Sequence, residues 1–232
     1  ELDVQPAYVA GHSLGEYSAL VAAGAFSLPD AVRVVRERGR LMQDAVPVGV
    51  GSMAALFGLS AEEVAQVCAE SAQGQIVTPA NLNGGGQVVV AGQTEAVRRA
   101  ITVAKSRGAK RAVELSVSAP FHCPLMAPVA EGLRQVLANV AVSPLQVGVI
   151  TNVTAEVNTD HTLIKDLLVR QVTAPVRWEE SMVKLGALGC QAAIEVGPGK
   201  VLAGLLKRIV SELSCVSFGD PTGLSEAKGV AA

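Results

Sequence analysis

The segment GHSLG at residues 11–15 is the feature that most constrains the fold of this chain. It follows a short apolar segment, PAYVA at 6–10, that predicts a strand, and a predicted helix runs from Ser13 to Ala25. A serine between two glycines at a strand-to-helix junction is typical of a strained turn in an α/β fold, which pushes the hydroxyl into a cleft. The sequence therefore predicts an α/β fold with an accessible serine at the end of its first strand.

Composition agrees with layers of helices and sheets, and it argues against several partners. The 232-residue chain is 50% hydrophobic but only 3% aromatic, so aliphatic side chains would form its core. This length suffices for one domain or for a domain with an insert. The net charge of −2 gives no overall field that would attract nucleic acid, and no apolar segment is long enough to span a bilayer. We therefore expect no nucleic acid and no membrane among the partners.

A change of pattern between residues 48 and 117 predicts an inserted subdomain. The segments there predict, in order, strand, helix, strand, strand, helix and strand, and a run of glycines between the middle strands is typical of a hairpin. This is the order of a ferredoxin-like βαββαβ unit. We therefore predict the insert at 48–117, a discontinuous core at 1–47 and 118–220, and a flexible tail at 221–232. Within the core, the segment QAAIEV at 191–196 predicts a buried strand.

The serine of the turn indicates nucleophilic chemistry if a base accompanies it. Of the three histidines, His12 adjoins Ser13 on a tight turn, where neighbouring side chains point apart, and His161 lies in a polar segment. His122 lies in a proline-rich loop after a strand, where α/β folds build their sites. We predict Ser13 as nucleophile, His122 as general base and the N–H of Leu14 as an oxyanion donor. The alternative is a structural turn capped by a serine.

The group that would orient His122 is left open by the sequence. In many serine enzymes a carboxylate holds the histidine in the tautomer that can accept the serine proton. The candidate acids are Asp160, Asp166, Glu179 and Glu195. Their spacing selects none of them, so all remain candidates.

One arginine lies on the apolar face of a predicted helix. In the helix that starts at Ser27, apolar residues recur at helical spacing, and Arg38 falls within that stripe, four residues after Val34 and four before Met42. A guanidinium that faces a core is costly unless it is paired. It could form a structural ion pair, for example with Glu16, or it could bind a substrate carboxylate. In the second case the substrate would be an acyl group that carries its own carboxylate.

The four cysteines predict a reduced protein without a metal site. Cys68, Cys123, Cys190 and Cys215 form no C-x-x-C pair, and no histidine lies at ligand spacing from them. Isolated cysteines of this kind are typical of proteins in a reducing compartment. We therefore expect a cytoplasmic protein that binds no metal.

Several segments together resemble those of malonyl-CoA:acyl carrier protein transacylases of bacterial type II fatty acid synthesis. They are GHSLGEYSAL, RERGRLMQ, APFHC, VRQVTAPVRW and EVGPGKVLAGLLKRI, which occur in this order over nearly the whole chain. Each motif alone is weak, but their combination is specific. The family also carries a segment before the serine turn, with a Gly-Gln loop that supplies a second oxyanion donor. Because the sequence lacks that segment, we expect it to be the C-terminal part of such a protein.

The resemblance implies a fold, a mechanism and two partners. The fold would be an α/β-hydrolase-like catalytic core with a ferredoxin-like insert. Ser13 would accept the malonyl group of malonyl-CoA, with His122 as base and Arg38 as the partner of the malonyl carboxylate. The backbone carbonyl of Gln171, in place of an acid, would orient His122. The malonyl group would then pass to the phosphopantetheine thiol of acyl carrier protein, so the chain would need no cofactor of its own.

Two other functions share parts of this pattern. A serine esterase or thioesterase of the same fold would use Ser13 and His122 but would have no need of a core-facing Arg38. For an acyltransferase domain of a polyketide synthase, long flanking domains would be expected. We expect a monomer, and because acyl carrier proteins are acidic, we expect a basic rim on the insert and the last long helix. The candidate residues are Lys105, Arg107, Lys110, Arg111, Lys200, Lys207 and Arg208.

Overall fold

The computed structural model describes residues 5–220 and 223–231. The chain begins with one strand and two helices: β1 (Tyr8–Ala10), α1 (Gly15–Ala22) and α2 (Leu28–Ala45). Helix α2 begins where the sequence predicts, because the Ser27 side chain accepts a hydrogen bond from the backbone N–H of Asp30. Within the described ranges, no helix combines the length and the apolar character that crossing a membrane requires.

The ferredoxin-like insert follows. Its elements are β2 (Gly51–Phe57), α3 (Ala61–Ala72), β3 (Val77–Gly84), β4 (Gln87–Gln93), α4 (Thr94–Ser106) and β5 (Arg111–Glu114). The strands form an antiparallel sheet in the order β3-β4-β2-β5, and both helices pack on one face of it. Glycines 84–86 all have positive φ and form the hairpin between β3 and β4. The order of elements and the hairpin agree with the sequence prediction.

The core domain packs helices around a short, mixed three-stranded sheet. Its next elements are α5 (Ala127–Ala138), β6 (Gly148–Ile150), β7 (Val157–Asn158), α6 (Ile164–Gln171) and α7 (Trp178–Ala187). Strand β1 pairs with β6 in parallel, and β7 pairs antiparallel with β6. Buried side chains such as Tyr17, Leu133 and Leu168 pack with Val149 of β6 into one cluster. The carboxyl ends of β1 and β6 therefore lie side by side, and the serine turn follows β1 at this edge.

The second face of the insert sheet packs against the loop that carries His122. Met53 of β2 and Cys123 of that loop are both buried in one cluster. Strand β3 is also tied to the core, because the backbone N–H of Leu82 donates to the carbonyl of Val176 at 2.9 Å. The histidine loop is thus fixed where the insert meets the core.

The last part of the chain differs from the prediction in two places. It contains β8 (Ala192–Val196), α8 (Val201–Ile209), β9 (Ser214–Phe218) and α9 (Leu224–Ala231). Strands β8 and β9 form a separate parallel pair, and β8 is only partly covered, with Val196 75% exposed. The expected burial of this strand is therefore wrong. A helix, α9, which the sequence did not predict, occupies most of the segment predicted as a flexible tail, and Ala227 is buried where α9 packs on β9. Residues 221, 222 and 232 of that prediction lie outside the described residues.

Candidate active site

The serine turn is held in a strained shape by Asn152, which follows β6. Ser13 has a φ of 53°, a value that residues other than glycine rarely adopt. The backbone N–H of Ser13 donates to Asn152 Oδ1 at 2.7 Å, and Asn152 Nδ2 donates to the carbonyl of Gly11 at 2.7 Å. One side-chain amide therefore holds the backbone on both sides of the turn and maintains the strained conformation of the serine.

The two glycines of the motif have different roles. A Cβ on Gly11 would lie 2.0 Å from the backbone carbon and oxygen of Gly15, a separation that real Cβ atoms do not show. A Cβ on Gly15 would meet no atom of the described residues within 4 Å. The close approach of the backbone in this turn therefore requires a glycine at position 11 but not at position 15.

The structure brings Ser13 and His122 into direct contact. The Ser13 hydroxyl donates to His122 Nε2 at 2.7 Å. His122 also has a positive φ, 58°, so the backbone is strained on both sides of this contact. Burial, and to a smaller extent the charge of Arg38, lowers the pKa of His122 to about 3. The imidazole is therefore neutral and able to accept the serine proton.

A backbone carbonyl orients the histidine. His122 Nδ1 donates to the carbonyl of Gln171 at 2.8 Å, which leaves Nε2 without a proton on the side of the serine. In the described part of the chain, none of the four candidate acids hydrogen-bonds this ring. Glu195, for example, accepts from backbone N–H groups at the start of α8, and Asp160 accepts from the backbone of Thr162. The carbonyl fixes the tautomer without adding a negative charge.

Arg38 extends from α2 into the same site. It is 6% exposed, and its Nη2 donates to Ser13 Oγ at 2.9 Å and to Gln171 Oε1 at 3.1 Å. The guanidinium carbon lies 5.6 Å from the centroid of the Tyr17 ring. Burial lowers the pKa of Arg38, against the opposing effects of the neighbouring Tyr17 and Glu16 side chains. A buried cation therefore contacts the predicted nucleophile.

Glu16 and the side chain of Gln171 complete the hydrogen-bond network around the serine. Glu16 Oε2 accepts from Gln171 Nε2 at 2.8 Å and from the backbone N–H of Asn152 at 3.0 Å. Burial raises the pKa of the Glu16 carboxyl to about 7, against the opposing effects of these two hydrogen bonds and of the Arg38 charge. From the sequence alone, Glu16 is predicted only as an ion-pair partner of Arg38. An acid in the first turn of a helix is common, so its position gave no signal of a buried role.

His12 supports the turn from the side that faces the insert. Its Nε2 donates to Asn83 Oδ1 at 2.9 Å, and its ring centroid lies 5.4 Å from that of Trp178. Burial lowers the pKa of His12. Its ring is thus held by β3 and α7, whereas the serine hydroxyl is bonded to the other histidine.

An unpaired backbone N–H lies at the start of α1. The N–H of Leu14 has no hydrogen-bond partner within residues 5–220 and 223–231. Free N–H groups at a helix N-terminus can stabilise negative charge, as an oxyanion requires. His12, Gln87 and Leu205 are among the residues that line a cavity between the insert and α8. The same ranges contain no cluster of three histidine, cysteine or acidic side chains that could hold a metal.

The sequence matches the profile of the acyl transferase domain over residues 3–221. The chain belongs to this family. Among curated family members, the malonyl CoA-acyl carrier protein transacylase of Salmonella typhimurium is 51% identical over 222 residues, which cover 96% of this chain and 72% of that protein. The transacylase of the same name from Bacillus subtilis is 49% identical, with 95% and 70% covered.

Solved structures of family members have the same fold. An acyl carrier protein S-malonyltransferase from Vibrio cholerae superposes with a TM-score of 0.94 at 50% identity, covering 96% of this chain and 72% of that one. A malonyl-transacylase solved in complex with a holo acyl-carrier protein of a type II polyketide synthase gives 0.95 at 47% identity, with 97% and 73% covered. The predicted α/β fold and the resemblance to malonyl transacylases are thereby confirmed.

Proposed function

We propose that this chain transfers a malonyl group from malonyl-CoA to the phosphopantetheine thiol of acyl carrier protein, in fatty acid biosynthesis, through an acyl-serine at Ser13. The observation that carries the proposal is the environment of the Ser13 hydroxyl. It lies 2.7 Å from the neutral base His122 and 2.9 Å from the buried cation Arg38. The names of the curated relatives, malonyl CoA-acyl carrier protein transacylases, support the donor and the acceptor.

The first half-reaction acylates the serine. His122 Nε2 takes the hydroxyl proton as Ser13 Oγ attacks the thioester carbonyl, and a tetrahedral oxyanion forms. The N–H of Leu14 stabilises that oxyanion. When the intermediate collapses, the carbon–sulfur bond breaks, His122 returns the proton to the sulfur, and CoA leaves as a thiol. The malonyl group remains as an ester on Ser13.

Arg38 selects the acyl group. The malonyl carboxylate is separated from the thioester carbonyl by a single methylene, so it must lie close to the nucleophile during attack. A guanidinium 2.9 Å from Ser13 Oγ is within that reach and can bind a carboxylate through two parallel hydrogen bonds. An acetyl group would leave the buried cation without this partner, and an unpaired buried charge is costly.

The second half-reaction reverses the first with a different thiol. The phosphopantetheine thiol of the carrier protein gives its proton to His122 Nε2 and attacks the ester carbonyl. When this intermediate collapses, the bond to Ser13 Oγ breaks and His122 returns the proton to Ser13. The malonyl group leaves as a thioester of the carrier protein. The prosthetic group belongs to the carrier protein, so the chain itself needs no cofactor. His122 therefore acts as the base in both half-reactions, as a reversible acyl transfer requires.

We place the docking site of the carrier protein beside α8. On the insert, Arg107 forms an ion pair and Arg111 lies over an aromatic ring, so both have a charged or aromatic partner within the chain. On α8, Lys207 and Arg208 are exposed, and Arg208 donates to Gln87, which lines the same cavity as His12. Their positive charge would attract an acidic carrier protein to the mouth of this cavity.

The working state of the chain is also part of the proposal. Reduced, unpaired cysteines are typical of the cytoplasm, and all four cysteines are free in the structure. We propose a cytoplasmic protein that acts as a monomer, because one chain provides the serine, the base and the arginine of the site. Its mass by sedimentation at assay concentration tests this: a value for one chain supports the monomer, and a value for two refutes it.

The decisive experiment measures where the malonyl group goes. The chain is incubated with malonyl-CoA and the holo carrier protein, and malonyl carrier protein and free malonate are quantified together. We expect malonyl carrier protein as the main product, and Ser13→Ala should form none. Rapid release of free malonate with no loaded carrier protein would instead identify a thioesterase of the same fold.

A further inference from the structure

One buried amide connects a buried carboxylate to the buried guanidinium at the site. Glu16 Oε2 accepts from Gln171 Nε2 at 2.8 Å, and Gln171 Oε1 accepts from Arg38 Nη2 at 3.1 Å. The same Gln171 Nε2 donates to the carbonyl of Ser13 at 3.1 Å. Glu16 and Gln171 are almost completely buried, so water does not compete for these hydrogen bonds.

The Gln171 amide satisfies its neighbours in one orientation only. With Nε2 toward α1, its two N–H groups meet two acceptors, the Glu16 carboxylate and the Ser13 carbonyl, and its oxygen meets the guanidinium. In the flipped orientation, oxygen would face both acceptors, and the NH₂ group would face Arg38, which can only donate. Buried polar groups without partners are costly, so this flip is disfavoured. Glu16 provides one of the two acceptors that fix this orientation.

The amide also keeps the carboxylate and the guanidinium apart. A direct ion pair between Glu16 and Arg38 would occupy the donors that a substrate carboxylate needs. Instead, an uncharged oxygen takes a hydrogen bond from Nη2, and the buried Nε of Arg38 has no partner among the described residues. The Arg38 guanidinium is therefore held beside the serine, while its Nε–H remains available as a hydrogen-bond donor.

We propose that Glu16 is a positioning residue for acyl-group selection. It fixes the Gln171 amide with its oxygen toward Arg38, so that the guanidinium is held beside Ser13 and remains available to a carboxylate. Glu16 itself does not touch the substrate and acts through these two side chains. This inference rests on the proposed function, because the group that Arg38 selects is the malonyl carboxylate.

The test separates the hydrogen-bond acceptor at position 16 from the charge. Glu16→Ala removes the acceptor, whereas Glu16→Gln keeps an oxygen for the Gln171 N–H. Glu37→Ala, which removes a surface carboxylate adjacent to Arg38 in the sequence, is the matched control. Acylation of Ser13 by malonyl-CoA and by acetyl-CoA is followed in single turnovers by mass spectrometry. We expect Glu16→Ala to lower the malonyl-to-acetyl rate ratio by about tenfold or more, and both other variants to keep it within about threefold.

Each outcome of this comparison bears on the inference. A ratio that survives in folded Glu16→Ala, or that falls equally in Glu16→Gln, overturns it. If Glu16→Ala does not fold, Gln171→Glu decides the question, because the new carboxylate would pair directly with Arg38 and abolish the preference for malonyl. Retention of that preference overturns the inference. Failure of the unmodified chain to acylate Ser13 would instead refute the proposed function.

Discussion

Replacement of Arg38 by alanine tests whether the acyl group is selected by its charge. The change removes a buried guanidinium whose Nη2 donates to Ser13 Oγ and Gln171 Oε1. It leaves the contact between Ser13 and His122 in place, because that hydrogen bond does not pass through the arginine. Acylation by an uncharged acyl group should therefore persist, while acylation by malonyl should lose its specific partner.

The expected magnitude follows from the burial of Arg38, which is 6% exposed. Loss of one partner from a buried ion pair costs about 3–5 kcal/mol, because the other charge is left unpaired. At about 1.4 kcal/mol for each factor of ten, this is a loss of about 100- to 5,000-fold in the malonyl-to-acetyl ratio of kcat/KM. Using the ratio cancels any general effect on the reactivity of Ser13, which the arginine also contacts.

The assay compares malonyl-CoA and acetyl-CoA as donors for acylation of the chain and for loading of the holo carrier protein. Arg36→Ala, on the exposed face of the same helix, removes a positive charge two residues away and should leave the ratio unchanged. Arg38→Lys keeps a charge but cannot form two parallel hydrogen bonds, so we expect an intermediate ratio. If Arg38→Ala retains the malonyl preference of the unmodified chain, the carboxylate-binding role is wrong.

Three further predictions concern stability and docking. Gly11→Ala should lower the free energy of unfolding by about 3 kcal/mol or more in urea titrations, because its Cβ would overlap the backbone of Gly15, whereas Gly15→Ala should change it by less than about 1 kcal/mol. Since His122 has a pKa of about 3 when folded and 6.5 when unfolded, it stabilises the protein less as pH falls below 6.5. As pH falls, the free energy of unfolding should therefore decrease by up to about 1.4 kcal/mol per pH unit more in the unmodified chain than in His122→Asn. Parallel pH profiles of the two proteins would contradict this. Transfer to the carrier protein should fall with added salt, and a double Lys207→Ala, Arg208→Ala variant should weaken that dependence without changing acylation by malonyl-CoA; an unchanged salt dependence would exclude docking at α8.

The sequence predicted those parts of the fold and site that depend on local pattern. The βαββαβ order and the glycine hairpin identified the insert, because strand alternation and turn residues are local signals. Ser13 was found from its motif and His122 from its place in a strand-end loop, and the structure places them 2.7 Å apart. Arg38 was found because a charge in an apolar helical stripe breaks the periodic pattern.

The remaining features depend on contacts between distant segments. The carbonyl that orients His122 belongs to Gln171, 49 positions later, and a backbone carbonyl has no signature in composition or spacing. Only the family resemblance predicts this role of Gln171. The buried role of Glu16 depends on Asn152 and Gln171, which the sequence places far from α1. The small residues after position 220 predict a flexible tail but give no signal of helix α9 or of its packing on β9.

The central claim is that the Ser13 hydroxyl becomes covalently malonylated. The direct measurement is peptide mass spectrometry of the chain after a brief exposure to malonyl-CoA and an acid quench. We expect one malonyl group on the peptide that contains Ser13, no such adduct in Ser13→Ala, and strongly reduced adduct in His122→Asn. Malonylation at any other residue, or equal malonylation of the peptide in Ser13→Ala, would contradict the account.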